Sequence, residues 1–309
     1  MRVTVVLTLL VGCSFEPPPA IPGDAVSDTT PEPDTTAEVG CFSAWRDHSV
    51  RVGTPAPLVN VNSNTSDRDP FLTADEQTLL FGARGTATTD QIFQATRSSA
   101  TADFGPPQVV MELSTDDGDE SKAVLRGDGL EVFVATTRAN GAGLSDLWTS
   151  TRLDLQSQFT AFANVPGVND DDQQHDPELS ADGLHLYFAQ SSLPQHIVVA
   201  ARTSLTADFD TPVTVIDSGV GDADPSVSPD ERILLFSSNR TGSGFGGGNI
   251  WYATRNSTTE PFGTPAALPG INGNTNDGDP VMSHDGCRVY FATDRGITGF
   301  DLFVADVVR

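Results

Sequence analysis

Asp279-Pro280-Val281-Met282-Ser283-His284-Asp285-Gly286-Cys287-Arg288-Val289-Tyr290-Phe291 decides the fold, because its pattern returns along the chain. An Asp-Pro pair opens a short strand, an acidic turn follows, and an apolar strand ends in Phe. The other copies start at Asp69-Pro70, Lys122-Ala123, Asp176-Pro177 and Asp224-Pro225. Their turns are Asp75-Glu76, Asp128-Gly129, Asp182-Gly183 and Asp230-Glu231, and their second strands end at Phe81, Phe133, Phe188 and Phe236. Outward from each pair comes a polar loop and then a third strand: Gln91-Ile92-Phe93, Asp146-Leu147-Trp148, His196-Ile197-Val198, Asn249-Ile250-Trp251 and Asp301-Leu302-Phe303. Four copies close on Arg97, Arg152, Arg202 and Arg255. A fourth strand then follows Phe104, Phe159, Phe209 or Phe262.

Each unit is therefore four short strands. Strands two and three are apolar at consecutive positions, as in Leu79-Leu80-Phe81 and Val289-Tyr290-Phe291, so both faces of each sheet should be buried. A two-sheet sandwich would alternate instead. A sheet packed between two like sheets meets the requirement, and radial repetition meets it for every copy. The reading is an all-β, five-bladed β-propeller with four strands per blade. The fifth copy stops after its third strand. Its missing strand appears at the start, where Val52-Gly53-Thr54-Pro55 matches Phe262-Gly263-Thr264-Pro265. The following loops also match, Asn62 to Pro70 with Asn272 to Pro280. The N-terminal strand should close the last blade, and residues 55–309 give five units of about fifty residues.

The pattern Asp-Pro-x-Leu-Ser-x-Asp-Gly, then Leu-Tyr-Phe, then Asp-Ile-Trp-x-Ala-Thr-Arg resembles the Tol-B-type (WD-repeat-like) propeller repeat of bacterial envelope proteins. The resemblance spans 52–309. It implies a non-catalytic head that binds protein. Copies two and three depart most. Copy two has Lys122-Ala123 for Asp-Pro and reads as one residue short before Phe133. Copy three has Val198 for an aromatic residue, and Ser191-Ser192 where others carry Arg.

Met1-Arg2 and the apolar stretch to Gly12 are too short to span a bilayer, which needs roughly 20 residues, and read as an export signal. Leu10-Val11-Gly12-Cys13 resembles a lipobox, which implies lipidation of Cys13. Residues 13–40 are rich in Pro and acid and poor in large apolar residues, the composition of a tether. The expected organisation is a signal peptide at 1–12, a lipidated tether at 13–40 and the propeller at 41–309. The expected location is the bacterial cell envelope, lipid-anchored, on the periplasmic or outer-surface side. Cys41 precedes the strand that should complete blade five, and Cys287 lies in that blade's first hairpin. The two are expected to form a disulfide in the oxidising compartment that export supplies.

The formal charge is −25, with 17 Lys and Arg against 42 Asp and Glu, and the single lysine is Lys122. Phosphate recognition needs basic clusters, so nucleic acid is excluded as a partner. Direct adsorption to anionic lipid is disfavoured, which leaves the lipid anchor as the membrane contact. The charge favours a soluble monomer. The Asp-Pro aspartates Asp69, Asp176, Asp224 and Asp279 recur by position, as turn-capping structural acids would. Arg84, Arg138, Arg240 and Arg295 recur after strand two and could pair with acids on the same face. Asp- and Asn-rich loops offer Asp67, Asp69, Asp277 and Asp279 as calcium ligands, without EF-hand spacing. No other cofactor is expected.

Glu178 interrupts a column of Phe71, Val124, Ser226 and Val281 near the expected channel, beside Asp176 and His175. Glu178 and Asp176 are the candidate catalytic carboxylates of the alternative reading, a glycan-binding or glycan-cleaving propeller that uses channel carboxylates. Gly242-Ser243-Gly244-Phe245-Gly246-Gly247 fits G-x-G-x-x-G but lies between strands, without the helix a dinucleotide needs. The histidines show no zinc spacing. The leading expectation is a non-catalytic envelope lipoprotein that binds envelope protein; the alternative partner is a glycan.

Overall fold

The computed structural model describes residues 40–85, 87–192, 194–241, 247–296 and 299–308. The signal stretch, Cys13 and the tether to residue 39 lie outside them, as does most of the Gly242–Gly247 motif. Among the described residues the strands form five antiparallel sheets. The chain is a five-bladed β-propeller.

Blade 1 runs inward strand Asp67–Leu72, then Thr78–Ala83, Gln91–Thr96 and outer strand Gln108–Val109. The inner strands of the other blades are Glu120–Leu125, Gln174–Leu179, Asp222–Val227 and Asp277–Met282. Each inner strand touches the inner strand on either side, including Asp277–Met282 against Asp67–Leu72, so the ring closes. The second strands are buried almost throughout, as consecutive apolar residues demand. Val281, Tyr290, Ala292 and Leu302 of blade 5 pack with Leu72, Leu79 and Phe81 of blade 1, sealing the boundary where the chain's two ends meet.

The closure comes from the N-terminal side. Asp301–Val308 is two residues longer than the other third strands. Arg51–Val52 pairs with Val307–Val308, and Ala56–Pro57 pairs with Phe303–Val304. Gly53 N–H donates to the Asp306 carbonyl at 2.8 Å, as Gly263 does to Thr254 and Gly105 to Thr96. The Sγ atoms of Cys41 and Cys287 are bonded, with their Cα atoms 5.0 Å apart. A short helix, Phe42–Arg46, follows Cys41 and was not legible in the repeat. Its Trp45 is fully buried against Tyr252 and donates from Nε1 to the Gly286 carbonyl at 2.8 Å.

Two sequence readings need correction. Copy two lacks no residue: nine positions separate Lys122 from Glu131, as they separate Asp69 from Thr78. Val134 occupies the slot of Phe81, and Phe133 lies one position earlier. A one-residue offset reverses the face of the sheet. Phe133 therefore meets Phe209, with ring centres 5.9 Å apart. Arg84 likewise precedes the slot of Arg138, Arg240 and Arg295, which blade 1 fills with Gly85 at φ +54°. Arg84 is exposed and pairs with Asp90 at 2.9 Å instead.

Candidate functional site

The inner strands bring the Asp-Pro aspartates to the axis. Rather than capping turns, Asp69, Asp176, Asp224 and Asp279 lie within the strands at φ +51° to +55°. Each marks a bulge in the pairing with the second strand. Asp accepts this left-handed conformation more readily than most residues. The bulges link one blade to the next. Asp69 N–H donates to the Asp279 carboxylate at 3.2 Å, Asp279 N–H to Asp224 at 3.2 Å, and Asp224 N–H to Asp176 at 3.4 Å.

Lys122 stands at the fifth position of this ring and is 2% exposed. Its ammonium donates to the Pro225 carbonyl at 3.4 Å and lies 4.0 Å from Glu178 Oε2. Burial and the neighbouring charges of Asp176 and Asp224 push Asp69 up to about 8. Burial and Asp176 push Asp224 up to about 6, and Asp279 is raised well above the ordinary range by burial and Asp224. Burial would raise Asp176 too, but the charge and hydrogen bond of His175 hold it below the usual carboxylate range. Oxygens of Asp69, Asp176 and Asp224 lie within 4.8 Å of one another, close enough to share one cation.

Above the ring, a second layer of inner-strand residues meets the loops after the second strands. Arg138 pairs with Glu120 at 3.2 Å, Arg240 with Asp222 at 2.8 Å, and Arg295 with Asp277. These guanidiniums also sit over Trp148, Trp251 and Phe303 at 5.4–5.7 Å. The aromatic column of the third strands thus supports the rim. Blade 1 keeps the acid, Asp67, without the arginine. Asp67 Oδ2 accepts from Ser63 N–H at 2.6 Å, while its buried Oδ1 has no partner. Burial raises this carboxyl to about 6. The candidate calcium pairs therefore split: Asp67 and Asp277 belong to this layer, Asp69 and Asp279 to the ring below.

Blade 3 loses both members of the rim pair, with Gln174 for the acid and Ser192 for the arginine. In their place His175 Nδ1 meets Asp176 Oδ2 at 2.7 Å, and His175 Nε2 meets Ser191 Oγ at 2.9 Å. Gln195 Nε2 is also 2.9 Å from His175 Nε2. Burial would lower His175, but the charge and hydrogen bond of Asp176, with Asp224 and Asp69 behind it, raise it to about 9. The sequence sets His175 beside Asp176 but leaves Ser191 16 residues away, with no signal that joins it to them. Adjacent strand residues ordinarily face opposite ways, and the bulge at Asp176 was not visible in the composition.

Glu178 lies one layer toward the opposite mouth, 9% exposed. Its Oε1 accepts from Val227 N–H at 3.4 Å, and its Oε2 makes no hydrogen bond. Burial raises it to about 6 against the pull of Lys122. The cavity there, about 190 Å³, is lined by Phe71, Leu72, Leu125, Val227 and Met282 as well as Glu178.

No protein-family model and no curated protein sequence matches the chain. Solved structures do. A family GH62 α-L-arabinofuranosidase catalytic domain from Coprinopsis cinerea aligns over 84% of this chain and 97% of its own, at 14% identity and TM-score 0.58. An arabinanase from Bacillus subtilis aligns over 81% and 97%, at 12% identity and TM-score 0.54. A putative TolB from Agrobacterium tumefaciens aligns over 79% and 78%, at 16% identity and TM-score 0.46. At these identities the first two likenesses speak to the propeller fold alone. Among the described residues no helix is long and apolar enough to cross a membrane.

Proposed function

We propose that the chain is a lipid-anchored cell-envelope protein whose propeller binds a basic protein partner through its acidic rim. The observation that carries the reading is the distribution of charge on the face formed by the loops before the inner strands. Asp116, Asp117, Asp119, Asp170, Asp171 and Asp217 are all exposed there. Arg138, Arg240 and Arg295, which could have balanced them, are turned inward onto Glu120, Asp222 and Asp277. Arg68 and Arg84 are exposed at blade 1, so the acidic arc spans blades 2 to 4, and such an arc attracts the opposite sign and speeds encounter. Leu10-Val11-Gly12-Cys13 supports the anchor.

The test is capture by the full chain, in detergent, from solubilised envelopes, with the bound proteins identified by mass spectrometry. A stoichiometric partner should appear at about 0.1 M salt and weaken as salt rises. Replacing Asp116, Asp117, Asp119, Asp170 and Asp171 by Asn should abolish capture, whereas Glu178→Gln should leave it intact. Capture indifferent to the five Asn substitutions would remove the reading.

Glu178 supports a second reading, glycan binding or cleavage, because a carboxyl raised to about 6 suits a general acid. Its own layer supplies no second carboxylate, since the other blades place Phe71, Val124, Ser226 and Val281 there. The partner acid would have to come from the aspartate ring. Release of reducing sugar from envelope polysaccharide, lost in Glu178→Gln, would favour this reading over the first.

A further inference from the structure

We propose that Ser191, His175 and Asp176 form a hydrolytic triad at the rim of blade 3 that cleaves small, uncharged carboxylic esters. The contacts have the order such chemistry requires: hydroxyl to imidazole at 2.9 Å and imidazole to carboxylate at 2.7 Å. A nucleophile, a base and an orienting acid in this sequence can work on any fold, because geometry rather than chain order defines them.

The five-fold repeat supplies its own comparison. The aspartate recurs in four blades, so Asp176 alone is a structural feature. The position of His175 is Arg68, Ser121, Ala223 or Gly278 in the other blades. The position of Ser191 is Arg84, Thr137, Asn239 or Asp294. Only blade 3 sets an imidazole and a hydroxyl above the ring aspartate, and only there are rim acid and arginine both absent. With Ser192 in the arginine slot, blade 3 itself supplies no guanidinium at that position. Ser191 is half-buried beside the exposed Ser192, and the His175 side chain keeps 22% of its exposure. A carbonyl can therefore reach Ser191 Oγ from the open face.

The roles follow from the contacts. Asp176 is a positioning residue: it accepts a hydrogen bond from Nδ1–H and so turns Nε2 toward Ser191. Ser191 Oγ attacks the ester carbonyl carbon as its proton passes to His175 Nε2. The C–O bond to the alcohol then breaks, and His175 returns that proton to the leaving oxygen. Water attacks the resulting Ser191 ester, gives a proton to His175 and frees the carboxylic acid, and Ser191 Oγ regains the proton. The Gln195 amide lies 2.9 Å from His175 Nε2 and shares that nitrogen with Ser191 in the resting site. Asp170 and Asp171, exposed at the rim, repel anionic acyl groups, which sets the preference for uncharged esters.

The full chain in detergent at pH 9 is treated with a fluorophosphonate probe, and the modified peptide is located by mass spectrometry. Turnover of p-nitrophenyl acetate is followed in parallel. The probe should mark Ser191. Ser191→Ala should lose the mark and at least 100-fold in kcat/KM, while Ser192→Ala keeps both; thermal melts check that each variant is folded. A mark on another serine, no mark, or equal turnover by folded Ser191→Ala would overturn the proposal and leave the trio as a hydrogen-bonded brace of the rim.

Discussion

Lys122 stands where four sister blades carry an aspartate, and its ammonium shares the channel with Asp69, Asp176 and Glu178. A buried charge stripped of its partner is costly, by about 3–5 kcal/mol. Lys122→Met, which preserves length, should therefore destabilise the head by about that much at neutral pH in denaturant titrations. The loss should shrink near pH 5, where the orphaned carboxyls take up protons. A constant loss at both pH values would show that packing, not charge, is at stake. The unmodified protein should already show the sign. Asp69 at about 8 and Asp224 and Glu178 at about 6 hold protons in the folded state that an unfolded chain has released above about 4. Stability is then lost as pH rises through that window. His175, raised to about 9, acts in the same direction between about 6.5 and 9. Asp176, depressed by His175, acts oppositely, its contribution lost as pH falls below about 4. The melting temperature should peak in mildly acid solution and fall toward pH 9; a scan that rises steadily to pH 9 would contradict the ring's assigned protonation.

The strands, as elements, were legible because their burial follows directly from runs such as Leu79-Leu80-Phe81. What the runs could not give was register. Phe133 was matched to Phe81 by identity, and Arg84 to Arg138 by kind. Spacing from the inner strand moves each by one position and so to a different neighbour. The bulges stayed hidden for a related reason: Asp-Pro fits a turn as well as a left-handed step inside a strand, and only pairing distinguishes them. For the same reason the contact of His175 with Ser191 cannot be read from the chain. Gly82 shows what close inter-blade approach asks of an element. The sister residues are Ala135, Ala189, Ser237 and Ala292, but a Cβ at Gly82 would collide with the Ser121 carbonyl of blade 2. Backbone on both sides leaves little room to yield. Gly82→Ala should cost about 1–3 kcal/mol in chemical unfolding, while Ala135→Gly should cost under about 1 kcal/mol. Equal effects would mean that the blades slide apart freely.

At the scale of the whole molecule, a propeller is held by what joins its first and last strands. Here the seal has three parts: Arg51–Val52 and Ala56–Pro57 on the long last strand, Trp45 beneath blade 5, and the Cys41–Cys287 bond. The cysteines are 246 residues apart, so the bond encloses nearly the entire head. A link across so long a loop removes much freedom from the unfolded chain, about 5 kcal/mol in the entropy picture. Each kcal/mol moves the melting point of a large domain by about 2–4 °C. Cys287→Ser should accordingly lower the melting temperature by roughly 10–20 °C. Reductant should do the same to the parent protein and nothing further to the variant. The strands explain why folding should survive: Ala56–Pro57 still pairs with Phe303–Val304, and the inner strands still close through Asp277–Met282 and Asp67–Leu72. The order of opening carries the sharper test. Without the bond, amide exchange should quicken first at Val52 and Gly53, whose N–H groups bond Pro269 and Asp306, while the second strands of blades 2 to 4 stay protected. Uniform acceleration across all five blades would mean that the ring yields as one unit and that its seam is no weaker than its other boundaries.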